Sequence, residues 1–298
     1  MKIRNRRTDL ALEAAELLQE CSKNTTLLQG VRSEDRLRDG IPVTTVHILD
    51  QNGGKLLGKP PGRYVTLTLD SLLHREDEAF PRAVRALADE LTLLLPRENP
   101  AAPVLVAGLG NRAITPDAIG PKAHECTLVT RHLVSQAPEH FGTFRPVASL
   151  ATGVLGTTGL ESGEVVKSLC RTLSPACVIA VDALASRSVK RLCRTIQLSD
   201  TGIVPGSGVG NHRHALTQES LGIPVIAMGV PTVVDAGTLA ADLLDLEEPP
   251  HLGSEKELLV TPKDIDQQVA TLSKVIGYAI DLALQPGLTL EDLEMLLG

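Results

Sequence analysis

Tryptophan is absent from this chain of 298 residues, and only two tyrosines and three phenylalanines stand in for it. Proteins that hold single-stranded nucleic acid usually stack its bases on aromatic side chains, and a formal charge of −7 repels a phosphate backbone. No direct nucleic-acid partner is expected. No apolar run approaches membrane-spanning length, so no membrane partner is expected either. The five cysteines, Cys21, Cys126, Cys170, Cys177 and Cys193, are odd in number and form no C-x-x-C pair, which fits reduced cytosolic thiols and not a zinc knuckle. The start, "MKIRNRRTDLALEAAELL", is basic, but Glu13 and Glu16 interrupt its apolar positions, so it lacks the core of a signal peptide. A cytoplasmic protein is expected.

What the chain does have is aliphatic. Apolar residues make up 43% and charged residues 22%, enough for one large domain or one domain with a small appendage. Seven β-rich runs recur, at 42–49, 63–69, 103–110, 146–151, 177–184, 195–200 and 224–230. Several are continuously apolar, as strands covered on both faces are. Helical patterns fall between them at 76–95, 117–136, 162–173 and 231–246. This order predicts a three-layer αβα domain with a mostly parallel, mixed sheet. The Asn-Gly-Gly turn in the segment from 43 to 69 predicts an edge hairpin. After Leu246 a polar, proline-bearing link leads to a helical tail, with Thr261 as cap and Pro262 in the first turn. The α/β domain is expected to span 10–246, and the link and C-terminal helices, 247–298, to pack on it.

Three strand ends carry an aspartate, where the loops of an open α/β sheet converge on one crevice. Asp117 follows "VLVAGLGN". It also reads as a helix-start acid, with Thr115 as cap and Pro116 opening the helix. The Gly-Leu-Gly-Asn turn is a poor dinucleotide fingerprint, since Ala113 stands where a third glycine is required. Asp182, inside "CVIAVDALA", is costly to bury unless partnered, and Arg187 is a candidate partner. That makes it a catalytic candidate. Asp200 belongs to an Asp-Thr-Gly triplet, but a single copy in a glycine-rich loop is a cheap match to the pepsin-like signature. His212 and His214 lack a carboxylate or cysteine at ligand spacing, so an exposed basic turn is the better reading. The run "PGSGVGN", with Gly206 and Gly208, lets backbone approach a bound phosphate or peptide.

Together these stretches carry a resemblance that no single one supports. "RTDLALEA", "GLGNRAITPDAIGPKA", "TRHL", "RPVASLATGVLGTTGLES", "VIAVDALASRSVKR", "TIQLSDTGIVPGSGVGNHR" and "LGIPVIAMGVPTVVDAGTLAADLL" follow one another as in the germination protease family of endospore-forming bacteria. The resemblance runs nearly end to end and is densest from 103 to 244. It implies an aspartic-type endopeptidase, made as a zymogen in the developing spore, that degrades small acid-soluble spore proteins during germination. It also implies a fold like that of hydrogenase maturation proteases, a homotetramer, and a place in the cytoplasm of the forespore and spore core. No cofactor is implied.

The family's proposed catalytic aspartates fall on Asp117 and Asp182. Two neighbouring carboxylates suit peptide hydrolysis, because they can share one proton and divide the work of base and acid. Asn111, Asp200, Gly206 and Gly208 are candidates for substrate or loop positions. Family substrates are cut after an acidic and before an apolar residue, so "RTDLALE" would be cut between Asp9 and Leu10, releasing residues 1–9 as propeptide. Thr8 also reads as the cap of an amphipathic helix there. Two features depart from the family pattern: the segment from 246 to 260 is short, and Val204 replaces an expected histidine. Two alternatives stand beside this reading. One is a metal-dependent maturation-type protease acting on another protein, with His132 as the nearest motif histidine. The other is a nonenzymatic regulator on the same fold.

Overall fold

The computed structural model describes residues 8–21, 29–99, 101–206, 213–244, 246 and 258–297, with the side chains of 17–21 left out. Its strands are β1 (Val31–Arg38), β2 (Ile41–Ile48), β3 (Gly62–Thr68), β4 (Val104–Leu109), β5 (Val147–Gly153), β6 (Cys177–Ser186), β7 (Thr195–Ser199), β8 (Val225–Asp235) and β9 (Leu259–Val260). The helices before β5 are α1 (Ala11–Cys21), α2 (Gln51–Leu57), α3 (Asp70–Leu73), α4 (Ala79–Thr92), α5 (Ile119–Glu125), α6 (Arg131–Gln136) and α7 (Pro138–Phe141). Those after it are α8 (Leu155–Thr158), α9 (Ser162–Leu173), α10 (Gln218–Leu221), α11 (Ala236–Leu243), α12 (Ile265–Leu284) and α13 (Leu290–Leu297).

All described strands join one mixed sheet in the order β1-β2-β3-β7-β8-β6-β4-β5, with β9 added to β8. From β8 through β6 and β4 to β5 the pairing is parallel, and from β1 to β8 through β3 and β7 it is antiparallel. Alternation along each strand sorts side chains between two faces. Val104 and Val106, Ile179 and Val181, and Met228 and Val230 meet α4, α5 and α12 in the main core. Leu105, Ala107, Val178 and Ala180 face the other way, onto Val166 and Cys170 of α9. Farther along that second face Val46, Ile48 and Tyr64 pack against Ala11, Ala14 and Ala15 of α1. The expected three-layer αβα fold is therefore present. No described helix is long and apolar enough to cross a membrane, and Cys126, Cys170, Cys177 and Cys193 are free thiols.

Several local expectations are corrected. The Asn-Gly-Gly stretch is helical, not a turn. Asp50 Oδ1 accepts the N–H groups of Asn52 and Gly53, each at 2.8 Å, and Gly58 ends the helix at φ 65°. β2 and β3 still pair antiparallel, but the edge is β1, whose charged sequence hides it from hydropathy and protects an open edge. The expected helix 117–136 breaks after Glu125, where buried Asp281 accepts the Leu128 N–H at 3.0 Å. β8 runs on through Pro231 to Asp235, whose side chain then caps α11 through the Thr238 N–H at 2.8 Å, so 231–235 is strand. Thr261 does not cap the tail helix, which begins at Ile265. Its hydroxyl donates instead to the Thr232 carbonyl at 2.8 Å.

Candidate active site

The chain passes from β4 to β5 on one side and then back over β4 to β6 on the other, with α5 and α9 on opposite faces of the sheet. Such a reversal opens a crevice at the carboxyl ends of the strands. Here it lies between β4 and β6. Their last paired residues are Gly108 and Val181, so Asp182 is the first residue of β6 beyond the point where β4 turns away. β6 continues to Ser186 beside β8. Asp182 thus sits inside its strand but at the edge of the crevice.

On leaving β4 the chain folds tightly back. Gly110 takes φ 108°, and a Cβ there would lie 2.1 Å from the Asp117 carbonyl oxygen, which explains the second glycine of Gly-Leu-Gly-Asn. Asp117 closes the short 3₁₀ turn Thr115–Asp117, with Pro116 in its first turn. Its Oδ2 accepts the Asn111 N–H at 2.8 Å, so Asn111 positions Asp117 through its backbone. Thr115 does not cap this turn, and its hydroxyl donates to Asp266 Oδ1 at 2.7 Å. Gly120 lets α5 pack on the strands, since a Cβ would lie 2.3 Å from the Leu109 and 2.4 Å from the Val181 carbonyl oxygen.

Asp117 and Asp182 line one cavity of about 350 Å³, and Asp9, Ser162, Gly206 and Arg213 line it with them. Asp182 is 4% exposed, and its Oδ1 accepts the Ala183 N–H at 2.9 Å. Burial, and then the Asp117 charge, push its carboxyl well above the ordinary value, against the Ala183 N–H and Arg213. Burial raises the half-buried Asp117 as well, against the Asn111 N–H and Arg213. Arg213 favours the charged form of both carboxylates. Arg213 carries no signal of its own in the sequence, where it stands between His212 and His214.

The N-terminal segment enters the same cavity. The Asp9 N–H donates to the Ala185 carbonyl at 2.9 Å, and the Ala185 N–H donates to Asp9 Oδ2 at 2.9 Å. Leu10 is fully buried, and its N–H donates to the Thr8 hydroxyl at 3.0 Å. Glu13, also fully buried, accepts the N–H of Arg187 at 2.7 Å and of Ser188 at 3.2 Å. Burial nevertheless raises its carboxyl, against those bonds, the Thr8 hydroxyl and Arg191. Lys59 lies close by. Burial lowers its ammonium while Asp9 and Glu13 favour the charged form.

Other candidates fall elsewhere. Asp200, exposed at the end of β7, accepts the Arg63 N–H at 2.8 Å through Oδ1 and fastens β3 to β7. It does not line the cavity with Asp117 and Asp182. Gly208 and His212 lie outside the described residues. His132 is on the exposed face of α6, and Val204 lines a neighbouring cavity with Asp9 and Lys59. Among the described residues no group of three or more His, Cys, Asp or Glu is placed to hold a metal ion.

Comparison with known proteins adds to this geometry. The germination protease family profile matches residues 11–256. The germination protease of Clostridium perfringens is 42% identical, with 99% of each chain covered. That of Caldanaerobacter subterraneus subsp. tengcongensis is 42% identical over 98% of each, and that of Bacillus cereus 46% identical over 80% of this chain and 66% of its own. Among solved structures, the NiFe hydrogenase maturation protease HycI from Thermococcus kodakarensis KOD1 aligns with a TM-score of 0.34 and 18% identity, covering 60% of this chain and 92% of its own. An end-to-end match to curated relatives, on an αβα fold with acids at its crevice, makes the chain a member of the germination protease family, a protease of spore germination.

Proposed function

We propose that this protease is an aspartic-type endopeptidase, made as a zymogen, that begins the breakdown of small acid-soluble spore proteins in the spore cytoplasm. On this reading it cuts its own chain between Asp9 and Leu10, releasing residues 1–9, and works as a homotetramer. The observation that carries the proposal is the presence of Asp9 in one cavity with Asp117 and Asp182. Asp9, the acid of an acid-apolar pair matching the family's cleavage pattern, lines the same cavity as the two acids expected to cut it.

The chemistry follows from the unequal settings of the two carboxyls. Asp182, the more buried, holds the shared proton, and Asp117, supported by the Asn111 N–H, is the base. Asp117 takes a proton from water as the water oxygen bonds to the Asp9 carbonyl carbon. The Asp182 proton then passes to the Leu10 nitrogen as the carbon–nitrogen bond breaks. Water supplies the hydroxyl of the new carboxyl group, and Asp117 returns its proton to the pair. Arg213 limits the build-up of negative charge when both acids are ionised.

The test uses the full chain with a small acid-soluble spore protein, with both products read by mass spectrometry. The wild type loses residues 1–9 and cuts the substrate after an acidic residue, whereas Asp117→Asn and Asp182→Asn do neither. Processing at another bond, or cleavage that persists in either variant, overturns the reading.

A further inference from the structure

The peptide bond between Asp9 and Leu10 is held by a side chain that the acid–base scheme does not use. Gln197, on β7, is only 8% exposed. Its Nε2 donates to the Asp9 carbonyl oxygen at 3.2 Å, and its Oε1 accepts the Ala11 N–H at 2.8 Å. These two contacts fix the orientation of the amide, because a carbonyl needs a donor and an N–H needs an acceptor. One planar carboxamide thus bridges the bond, touching the residue before it and the second residue after it.

β7 places that amide rigidly. Ile196 and Leu198 point into the main core, so Gln197 points to the opposite face. On that face Asp9, Leu184 and Gly229 line a second cavity with it. The strand is paired on both sides here, with Thr66 of β3 and Gly229 of β8. Asp9 lines this cavity as well as the one holding Asp117 and Asp182. The residue whose carbonyl carbon would be attacked therefore shares one cavity with the carboxylates and a second with Gln197.

We infer that Gln197 is a catalytic residue: it clamps the peptide to be cut and donates to its carbonyl oxygen as negative charge builds there. The inference rests on the proposed cleavage between Asp9 and Leu10. As the water oxygen bonds to the Asp9 carbonyl carbon, the carbonyl π pair moves onto the oxygen that already accepts the Gln197 N–H. That contact becomes a charge-assisted hydrogen bond in the transition state. When the carbon–nitrogen bond breaks, the pair returns to re-form the carbonyl. Gln197 exchanges no proton. Both its contacts are to backbone, so any substrate chain can make them, and the choice of an acidic residue before the cut is left to other groups.

Gln197→Met keeps length and bulk but removes donor and acceptor. Gln197→Glu keeps an acceptor for the Ala11 N–H and turns the donor into an oxygen facing the carbonyl oxygen. Each full-length variant is assayed on a synthetic peptide carrying residues 5–14, together with its phosphinate analogue, whose tetrahedral phosphorus replaces the carbonyl between positions 9 and 10. Both variants are expected to lose kcat by about 10²- to 10³-fold, the usual effect of removing an oxyanion donor, with a much smaller change in KM. Gln197→Met should weaken phosphinate binding far more than binding of the intact peptide, which a purely structural role would not do. Melting temperature identifies a variant that has lost its fold, and Gln197→Glu then carries the test. A wild-type kcat, or equal weakening of phosphinate and peptide, overturns the role of Gln197 alone. A wild type that fails to cut between positions 9 and 10 overturns it together with the proposed function.

Discussion

Asp9 and Ala185 exchange two hydrogen bonds, backbone to backbone and backbone to carboxylate, both at 2.9 Å. The pairing ties the N-terminal segment to the part of β6 that lies beyond Asp182. It also places the Asp9 side chain within reach of the Lys59 charge. Asp9→Asn should keep an acceptor for the Ala185 N–H while removing that charge. The expected outcome is an N-terminus that stays docked and is processed at least tenfold more slowly, read as intact mass against time. Processing at the wild-type rate would show that the charge at position 9 is not read.

Replacing the buried acid tests catalysis and stability together. Asp182 carries its proton at neutral pH on the reading above, so Asp182→Asn exchanges one neutral group for another of nearly equal shape. Activity should vanish while the melting temperature holds or rises. A fall of many degrees would mean that the carboxylate is part of an ion pair on which the fold depends.

Activity should follow a bell-shaped pH profile, failing in acid as Asp117 gains a proton and in alkali as Asp182 loses one. Burial raises both groups, so the acid limb should lie above the ordinary aspartate range. Arg213 favours the charged form of each, and Arg213→Met should move both limbs to higher pH. Values of kcat/KM on a short peptide from pH 4 to 10 provide the check. Limbs that stay in place would remove Arg213 from the electrostatics of the site.

Gly110→Ala forces a side chain into backbone at φ 108°, with its Cβ 2.1 Å from the Asp117 carbonyl oxygen. A loss of at least about 1 kcal/mol in stability is expected from the strain alone. Activity should fall by more than stability explains, because the turn that yields is the one carrying Asp117. Denaturant titration and steady-state kinetics on the same variant separate the two effects.

Asp281, on α12, tests the tail. Burial raises its carboxyl to about 8, against the hydrogen bond from Leu128 N–H. The folded chain therefore keeps a proton that the unfolded chain releases between about pH 4 and that value. Over this window each rise in pH costs the fold stability, by up to about 1.4 kcal/mol per unit. Asp281→Asn has no such loss. Its advantage over the wild type should grow from pH 4 to 8 and then level off, as followed by melting temperature. A constant difference would place the group in water in the folded state.

Much of the site could be read from the chain because it obeys a local rule. Aliphatic runs long enough to be buried strands stop at acids, and an acid beside a buried strand requires a reason. That logic marks Asp117, Asp182 and Asp200 alike, the family resemblance falls on the first two, and only those two line the cavity. Arg213, Lys59 and Gln197 carry no comparable local mark. Gln197 meets Asp9 across 188 positions of sequence, and a glutamine in a β-rich run looks like any other half-exposed strand residue. β1 was missed because a charged edge strand has no apolar alternation. The Asn-Gly-Gly segment misled because the same residues serve a tight turn or, with Asp50 before them and Gly58 after, a capped helix.

The burial of Leu10 bears on the direction of the process. A cut before it would leave an ammonium at a position where the intact chain has only an amide N–H bonded to Thr8, and a new carboxylate on Asp9 beside Asp182. Neither charge is easily kept out of water, and each is relieved when the two new ends separate. Resealing would require both ends to return, shed their hydration and meet again. On the proposed reading, the energy that the fold spends on burying Leu10 would then act as a ratchet, keeping a released segment from coming back as an inhibitor.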